Sequence, residues 1–165
     1  MMWGELDKAM TLGEEALALA KKAGDLTYIP WNLLILGEIF QKLGEWDKSE
    51  QYYKEAVDIS RSQNEAQTYV WSRQDFALLH IDKEEYTKAK ELLEEALQIC
   101  KKTGAKTPLM GNSMYLVWTL IELGETEKAQ DMLNSLQKFA LETGQKWFKI
   151  NEMALRARLL RAQRK

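Results

Sequence analysis

Cysteine and histidine occur once each in this 165-residue chain and proline only twice, and each scarcity closes off a class of protein. A lone Cys100 cannot form an internal disulfide, which suits a reducing compartment. A lone His80 cannot supply a histidine dyad or a multi-histidine metal site within one chain. With proline confined to positions 30 and 108, no Pro-rich or Gly-rich tract divides the sequence, and residues 1–165 read as one domain. No apolar run reaches the roughly 18 residues needed to cross a bilayer, and the first residues lead into an acidic helix rather than a signal peptide. The expected location is therefore cytoplasmic, with no membrane partner.

The composition that remains is that of an ordinary globular protein, 45% hydrophobic and 29% charged. A formal charge of -2 and a pI near 5.6 do not suit a general polyanion binder, so no nucleic-acid partner is expected. The charge is unevenly spread. Residues 146–165 carry Lys146, Lys149, Arg156, Arg158, Arg161, Arg164 and Lys165 against Glu152 alone, an excess of +6 that leaves -8 on the other 145 residues.

A 40-residue step runs through most of the chain. Residues 26–65 placed above 66–105 and 106–145 align Trp31 with Trp71, and Lys48 with Lys88 and Lys128; Gly4, Glu5 and Lys8 fall in the register of Gly44, Glu45 and Lys48. Repetition at this period marks a solenoid, in which each unit buries its apolar face against its neighbours. Each step reads as two helices, an A helix near 27–43, 67–82 and 108–123 and a B helix near 45–62, 85–102 and 125–142. The expected fold is all-α, a right-handed superhelical solenoid of seven or eight helices in antiparallel pairs. Residues 1–25 form a partial repeat with a B helix, and 146–165 a terminal A-type or capping helix. Gly24, Asn64, Gly104 and Gly144 stand where the B helices should stop, in residue types that tolerate the left-handed conformation. Thr107 reads as an N-cap with Pro108 in the first turn behind it, and Pro30 also lies near a helix start. Small residues recur at Ala9, Ser49, Ala89 and Ala129 and at Ala16, Ala56 and Ala96, where they let helices approach closely.

These units resemble the tetratricopeptide repeat family. The first complete unit carries Leu33-x2-Leu36-Gly37-x2-Phe40, then Ser49-x3-Tyr53 and Ala56. The second has Arg73-x2-Phe76-Ala77-x2-His80 and Ala89-x3-Leu93, and the third Ser113-x2-Leu116-Val117-x2-Leu120 and Ala129-x3-Leu133. A period of 40 in place of 34, with no proline closing the unit, implies longer helices and is similar to arrays attached to prokaryotic signalling and transcription regulators. The resemblance implies a scaffold that binds a peptide or helix of a partner protein on its concave face. It places on that face Trp31, Leu34 and Glu38 from the first unit, Trp71, Gln74 and Leu78 from the second, Met114 and Trp118 from the third, and Arg158 from the last helix. Aromatic and methionine side chains are favoured interface anchors. The Lys, Asn and Arg set with which some relatives clamp a C-terminal carboxylate is absent, since those positions are mostly aromatic or aliphatic here.

Nothing in the sequence points to catalysis or a cofactor. There is no Gly-rich phosphate loop, no Cys-x2-Cys and no His-Glu-x2-His. Glu14-Glu15, Glu84-Glu85 and Glu94-Glu95 read as solvated helix faces, because neighbours on a helix point about 100° apart and cannot converge as a dyad. His80 falls in the register of Phe40, Leu120 and Leu160, expected core positions, and Cys100 in that of Ala20, Ser60 and Ala140, a small buried one. Neither a metal nor an enzyme activity is expected. Arg156 falls in the register of Leu36, Phe76 and Leu116, which suits a last helix whose outer side meets water. The end helices also suggest self-association: Leu6, Leu12, Ala16 and Leu17 lack a preceding A helix, and Trp147, Phe148, Ile150, Leu155 and Leu159 lack a following B helix. The rival reading is a regulatory or structural repeat segment of a larger prokaryotic signalling or transcription-regulator protein.

Overall fold

The computed structural model describes residues 3–63, 66–144 and 148–164. These form eight α-helices and no strand: α1 (Trp3–Ala23), α2 (Tyr28–Lys42), α3 (Trp46–Ser62), α4 (Ala66–Asp82), α5 (Tyr86–Thr103), α6 (Lys106–Glu122), α7 (Thr126–Thr143) and α8 (Phe148–Ala162). Their contacts divide the chain into two compact units, Met1–Leu79 and His80–Lys165.

The turn from an A to a B helix is the same device three times. The backbone N–H of Glu45, Glu85 and Glu125 donates to the carbonyl of Phe40, His80 and Leu120 at 2.8–2.9 Å. Each glutamate then opens its B helix, its carbonyl accepting from the N–H of Ser49, Ala89 or Ala129. Reversing the chain this tightly needs one left-handed residue, supplied by Gly44 (φ 77°) and Gly124 (φ 76°) but by Glu84 (φ 58°) in the middle repeat. The pair Glu84-Glu85 thus lies in a turn between α4 and α5, not on a helix face as its sequence suggested. At the B-helix ends, Gly24, Gly104 and Gly144 all have positive φ, whereas Asn64 lies outside the described residues. The expected Thr107 cap is corrected: α6 begins two residues earlier, at Lys106, with Ala105 in the cap position. Proline at the third helical position accounts for this, because its missing N–H falls among the donors that a first turn leaves free anyway.

In the first unit the seam between α2 and α3 is a small-against-large fit. Gly37 lies under the Tyr53 ring so closely that a Cβ there would stand 2.5 Å from Tyr53 Cε1. The Tyr53 hydroxyl donates to Gln41 Oε1 at 2.9 Å, and Ser49 Oγ donates to the Gly37 carbonyl at 2.8 Å. On the other side of Tyr53, the Phe76 ring of α4 lies 6.3 Å away, and the buried hydroxyls of Ser60 and Ser72 meet at 3.1 Å. Arg73 is a buried cation that its internal equivalents, Leu33 and Ser113, did not foretell; it lies over the Tyr69 ring, and its Nε donates to the Tyr69 hydroxyl at 2.8 Å.

In the second unit α5, α6, α7 and α8 pack in sequence, with α8 against both α6 and α7. Phe148, Leu155 and Leu159 are buried, so three of the side chains expected to lack a cover have one; Trp147 lies outside the described residues. Ile150 is uncovered as expected (78% exposed), in a row with Met153 (65%) and Leu160 (58%). Leu160, expected in the core, is corrected, because on α8 that register faces away from the α6 and α7 contacts. The residues 40 positions earlier on α6, Met110, Ser113 and Leu120, are all buried. Arg156 does not simply meet water either. Its Nε donates to Glu152 Oε1 at 2.8 Å and its Nη2 to Gln137 Oε1 at 3.0 Å, so it reaches back to α7.

Candidate partner-binding grooves

In the first unit, Trp31, Leu34 and Glu38 on α2, and Trp71, Gln74 and Leu78 on α4, each share one helix face by their i, i+3, i+7 spacing. Trp31 is 36% exposed, Trp71 and Leu78 are half-buried, and Leu34 and Gln74 are buried. Leu34 and Gln74 therefore serve packing here and present little surface. Glu38 is exposed and takes an ion pair from Lys42 Nζ at 2.7 Å, one turn along α2. The structure adds Asp75, whose carboxyl is pushed up to about 7, first by burial and second by the nearby Glu38 carboxylate, against a hydrogen bond from Gln74. One sequence signal could have found it. Asp75 replaces large apolar residues, Ile35 and Tyr115, in the other repeats.

In the second unit, Met114 and Trp118 of α6 and Arg158 of α8 come together around one pocket. It has a volume of about 290 Å³ and is completed by Tyr115, Asn151, Ala154 and Leu155. The Arg158 guanidinium lies 4.5 Å from the Trp118 ring centroid. Its Nη1 donates to Glu122 Oε1 at 2.8 Å, and Trp118 Nε1 donates to the same oxygen at 3.2 Å. One carboxylate oxygen thus orients both the indole and the cation that lies on it. At a half-exposed site the cation–π contact contributes about 0.5–1 kcal/mol, enough to fix a rotamer without holding the fold. Beyond Arg158 the surface opens into a wider recess that Glu122, Ile121, Ala157 and Arg161 help to line. Sequence reasoning missed Glu122, although its i+4 spacing from Trp118 was readable. The α8 contributors, Asn151, Ala154 and Leu155, had no comparable signal.

The remaining reactive side chains are absorbed by packing. Cys100 is buried and its thiol is pushed up by that burial, which keeps it protonated and unreactive. His80 is buried with Nδ1 2.6 Å from Glu85 Oε2. Hydrogen bonds from His80 and then Lys88 hold the Glu85 carboxyl below its usual range. Among the described residues, no three His, Cys, Asp or Glu side chains gather as a metal site, and no helix is long and apolar enough to cross a membrane.

Paired helices at a 40-residue step, with small-residue seams and grooves between A helices, define a tetratricopeptide-type repeat protein. The chain belongs to the family of the MalT-like TPR region, which matches residues 1–165. A comparison with curated proteins finds no match. Among solved structures it is similar to the apo form of RapI (TM-score 0.81, 15% identity, covering 90% of this chain and 54% of that one). It is also similar to a Rap protein complexed with competence and sporulation factor (TM-score 0.75, 16% identity, 81% and 37%). A Podosopora anserina protein described as a kinesin light chain with nearly identical TPR-like repeats matches over 99% of this chain and 91% of that one (TM-score 0.72, 16% identity). At these identities the likeness is one of fold. The chain spans about half or less of the length of the two Rap proteins.

Proposed function

We propose that this protein is a non-catalytic, cytoplasmic interaction module that binds a peptide segment of a partner protein, with the groove between α6 and α8 as its principal site. The observation that carries this reading is the convergence of Met114, Trp118 and Arg158 on one pocket. An apolar floor with one oriented cation suits recognition of a side chain in an extended or helical peptide. The complex of a Rap protein with competence and sporulation factor supports the reading by analogy of fold. Trp31, Trp71 and Leu78 offer a second contact surface within the first unit.

The test is a selection of displayed random peptides on the chain, followed by titration of the selected peptides against variants. Trp118→Ala and the pocket-filling Ala154→Met should each weaken binding at least tenfold with unchanged helical circular dichroism. Trp46→Ala, on the exposed surface of α3, should leave binding unaltered. Selected peptides that ignore both pocket variants would remove the α6–α8 groove as the site.

A second reading is favoured by the bare row of α8. That row stands in the register at which α6 is covered, and α1 has the complementary deficit, with Leu12 (65%) and Leu19 (67%) exposed on a B-type helix. The α1 helix of a second copy would match it in type, and also in charge, since Glu5, Asp7, Glu14 and Glu15 against Lys8, Lys21 and Lys22 leave α1 slightly acidic beside the basic α8. Leu17, also expected on that face, is buried within the first unit. Light scattering over a concentration series decides: assembly that Met153→Glu abolishes supports the contact, and a chain that stays monomeric at high concentration excludes it.

A further inference from the structure

We infer that the α6–α8 groove selects an acidic peptide segment with a bulky apolar side chain; this rests on the groove being the binding site. The α8 wall is cationic. Residues 148–164 carry Lys149, Arg156, Arg158, Arg161 and Arg164 with Glu152 as the sole acid; Arg158 and Arg161 line the groove, while Lys149 and Arg156 lie toward α7. Two of these cations are already engaged: Arg156 by Glu152 and Gln137, and Arg158 by Glu122. Arg161 lines the adjoining recess and has no ion pair among the described residues. The groove therefore runs from an apolar pocket floored by Met114 and Trp118, past Arg158, to an uncompensated guanidinium.

The complementary ligand follows from that order. An aliphatic or aromatic side chain fills the 290 Å³ pocket, where it displaces water from Met114, Trp118 and Leu155. A carboxylate one or two residues further along reaches Arg161, which can bind it through two parallel N–H···O bonds. Arg158 is the shared boundary of pocket and recess. Its bond to Glu122 lowers its attraction for a second carboxylate, so Glu122 acts as a built-in competitor of the ligand. A basic peptide would meet repulsion from Arg158 and Arg161. A nucleic acid would find the cations, but its phosphates would be repelled by Glu122 in the groove and by the excess of eight negative charges carried outside residues 146–165.

The experiment uses the full chain and four fluorescent probes read by anisotropy at low and moderate salt. These are a nine-residue peptide with central Phe flanked by Asp and Glu, its Lys-flanked counterpart, its Ala-centred counterpart, and an oligothymidylate of matching length. The acidic Phe peptide should bind at least tenfold tighter than each of the other three, and more weakly as salt rises. Arg161→Glu, a surface change that leaves the fold intact, should weaken the acidic peptide at least tenfold and improve the Lys-flanked one. Glu122→Gln should tighten the acidic peptide severalfold by freeing Arg158. Failure of the acidic peptide to bind, equal binding of the acidic and basic peptides, indifference to Arg161→Glu, or preference for the oligothymidylate would each overturn the inference. If the groove is instead occupied by neutral or basic selected peptides that still depend on Trp118, the peptide-binding reading stands and only the acidic selectivity falls.

Discussion

Each compact unit holds carboxylates close to its packed helices, and the two units treat them in opposite ways. In the first, Asp75 is half-buried beside another acid, Glu38, and its carboxyl is pushed up to about 7. In the second, Glu85 is bonded by His80 and Lys88, and Glu125 by Lys128 and Lys90, and both are held below the usual range. The difference follows first from depth and then from partners: burial is the main cause for Asp75, with Glu38 adding to it, whereas Glu85 and Glu125 stay near solvent and accept hydrogen bonds from cations. A carboxylate near solvent with a cation in reach keeps its charge, whereas one that is buried and also faces a second acid is better neutral. Two units built on one 40-residue pattern thus differ in electrostatic character, with a raised carboxyl on α4 beside Glu38 of α2 in the first and an excess of cations on α8 in the second.

The largest expected effect tests the packing side of that comparison. Gly37→Val would drive a side chain into the Tyr53 ring and should destabilise the protein by about 3 kcal/mol, measured by urea unfolding. The second unit solves the same register with Val117 and Leu133. The double variant Gly37→Val with Tyr53→Leu should therefore recover most of the loss, and no recovery would show that the two seams are not interchangeable.

Next comes Asp75→Asn. Because the folded carboxyl titrates near 7 and the unfolded one near 4, the folded state retains a proton that the unfolded state gives up. Stability therefore falls as pH rises through that window. The variant should match the wild type at pH 4 and exceed it by about 1–3 kcal/mol at pH 8. A pH-independent difference would mean that Asp75 is not held neutral.

Glu84→Gly should stabilise by about 1 kcal/mol, since it removes a side chain from a left-handed backbone position; Gly124→Ala in the equivalent turn should lose a similar amount. Thermal melts of the two variants check this, and a destabilised Glu84→Gly would show that the glutamate side chain compensates for its own strain. The smallest effect is expected for Glu85→Gln, with the pH sign opposite to that of Asp75. The depressed carboxyl supplies stability above the unfolded carboxylate range and loses it as pH falls through the folded value. The variant should be less stable at pH 7 and converge with the wild type in acid.

Much of this architecture was legible in advance because it is local. Every expected helix appears within a few residues of its reading, since apolar spacing, left-handed stops and N-terminal prolines act within one or two turns of the chain. The misreadings are local signals overruled by a neighbour. Thr107 lost the cap to Ala105, and Glu84 was drawn out of a helix by a turn that elsewhere uses glycine. For the groove, the i, i+4 step from Met114 to Trp118 was readable on one helix. That Arg158 lies on the Trp118 ring was not, because the two residues are brought together by α8 packing against α6.

The sequence by itself determined the class of fold, the 40-residue step and the alternation of A and B helices. These depend on hydrogen bonds and apolar faces that repeat along one dimension. Only the tertiary structure decided which members of each face are consumed in packing, as Leu34, Gln74, Phe148 and Leu159 are, and which stay open, as Trp31, Ile150 and Met153 do. Exposure is a property of neighbours contributed by other helices, and so is the charge state of Asp75. An isolated register can place a side chain on a face, but solvent, a second acid or a covering helix decides what that side chain can do there.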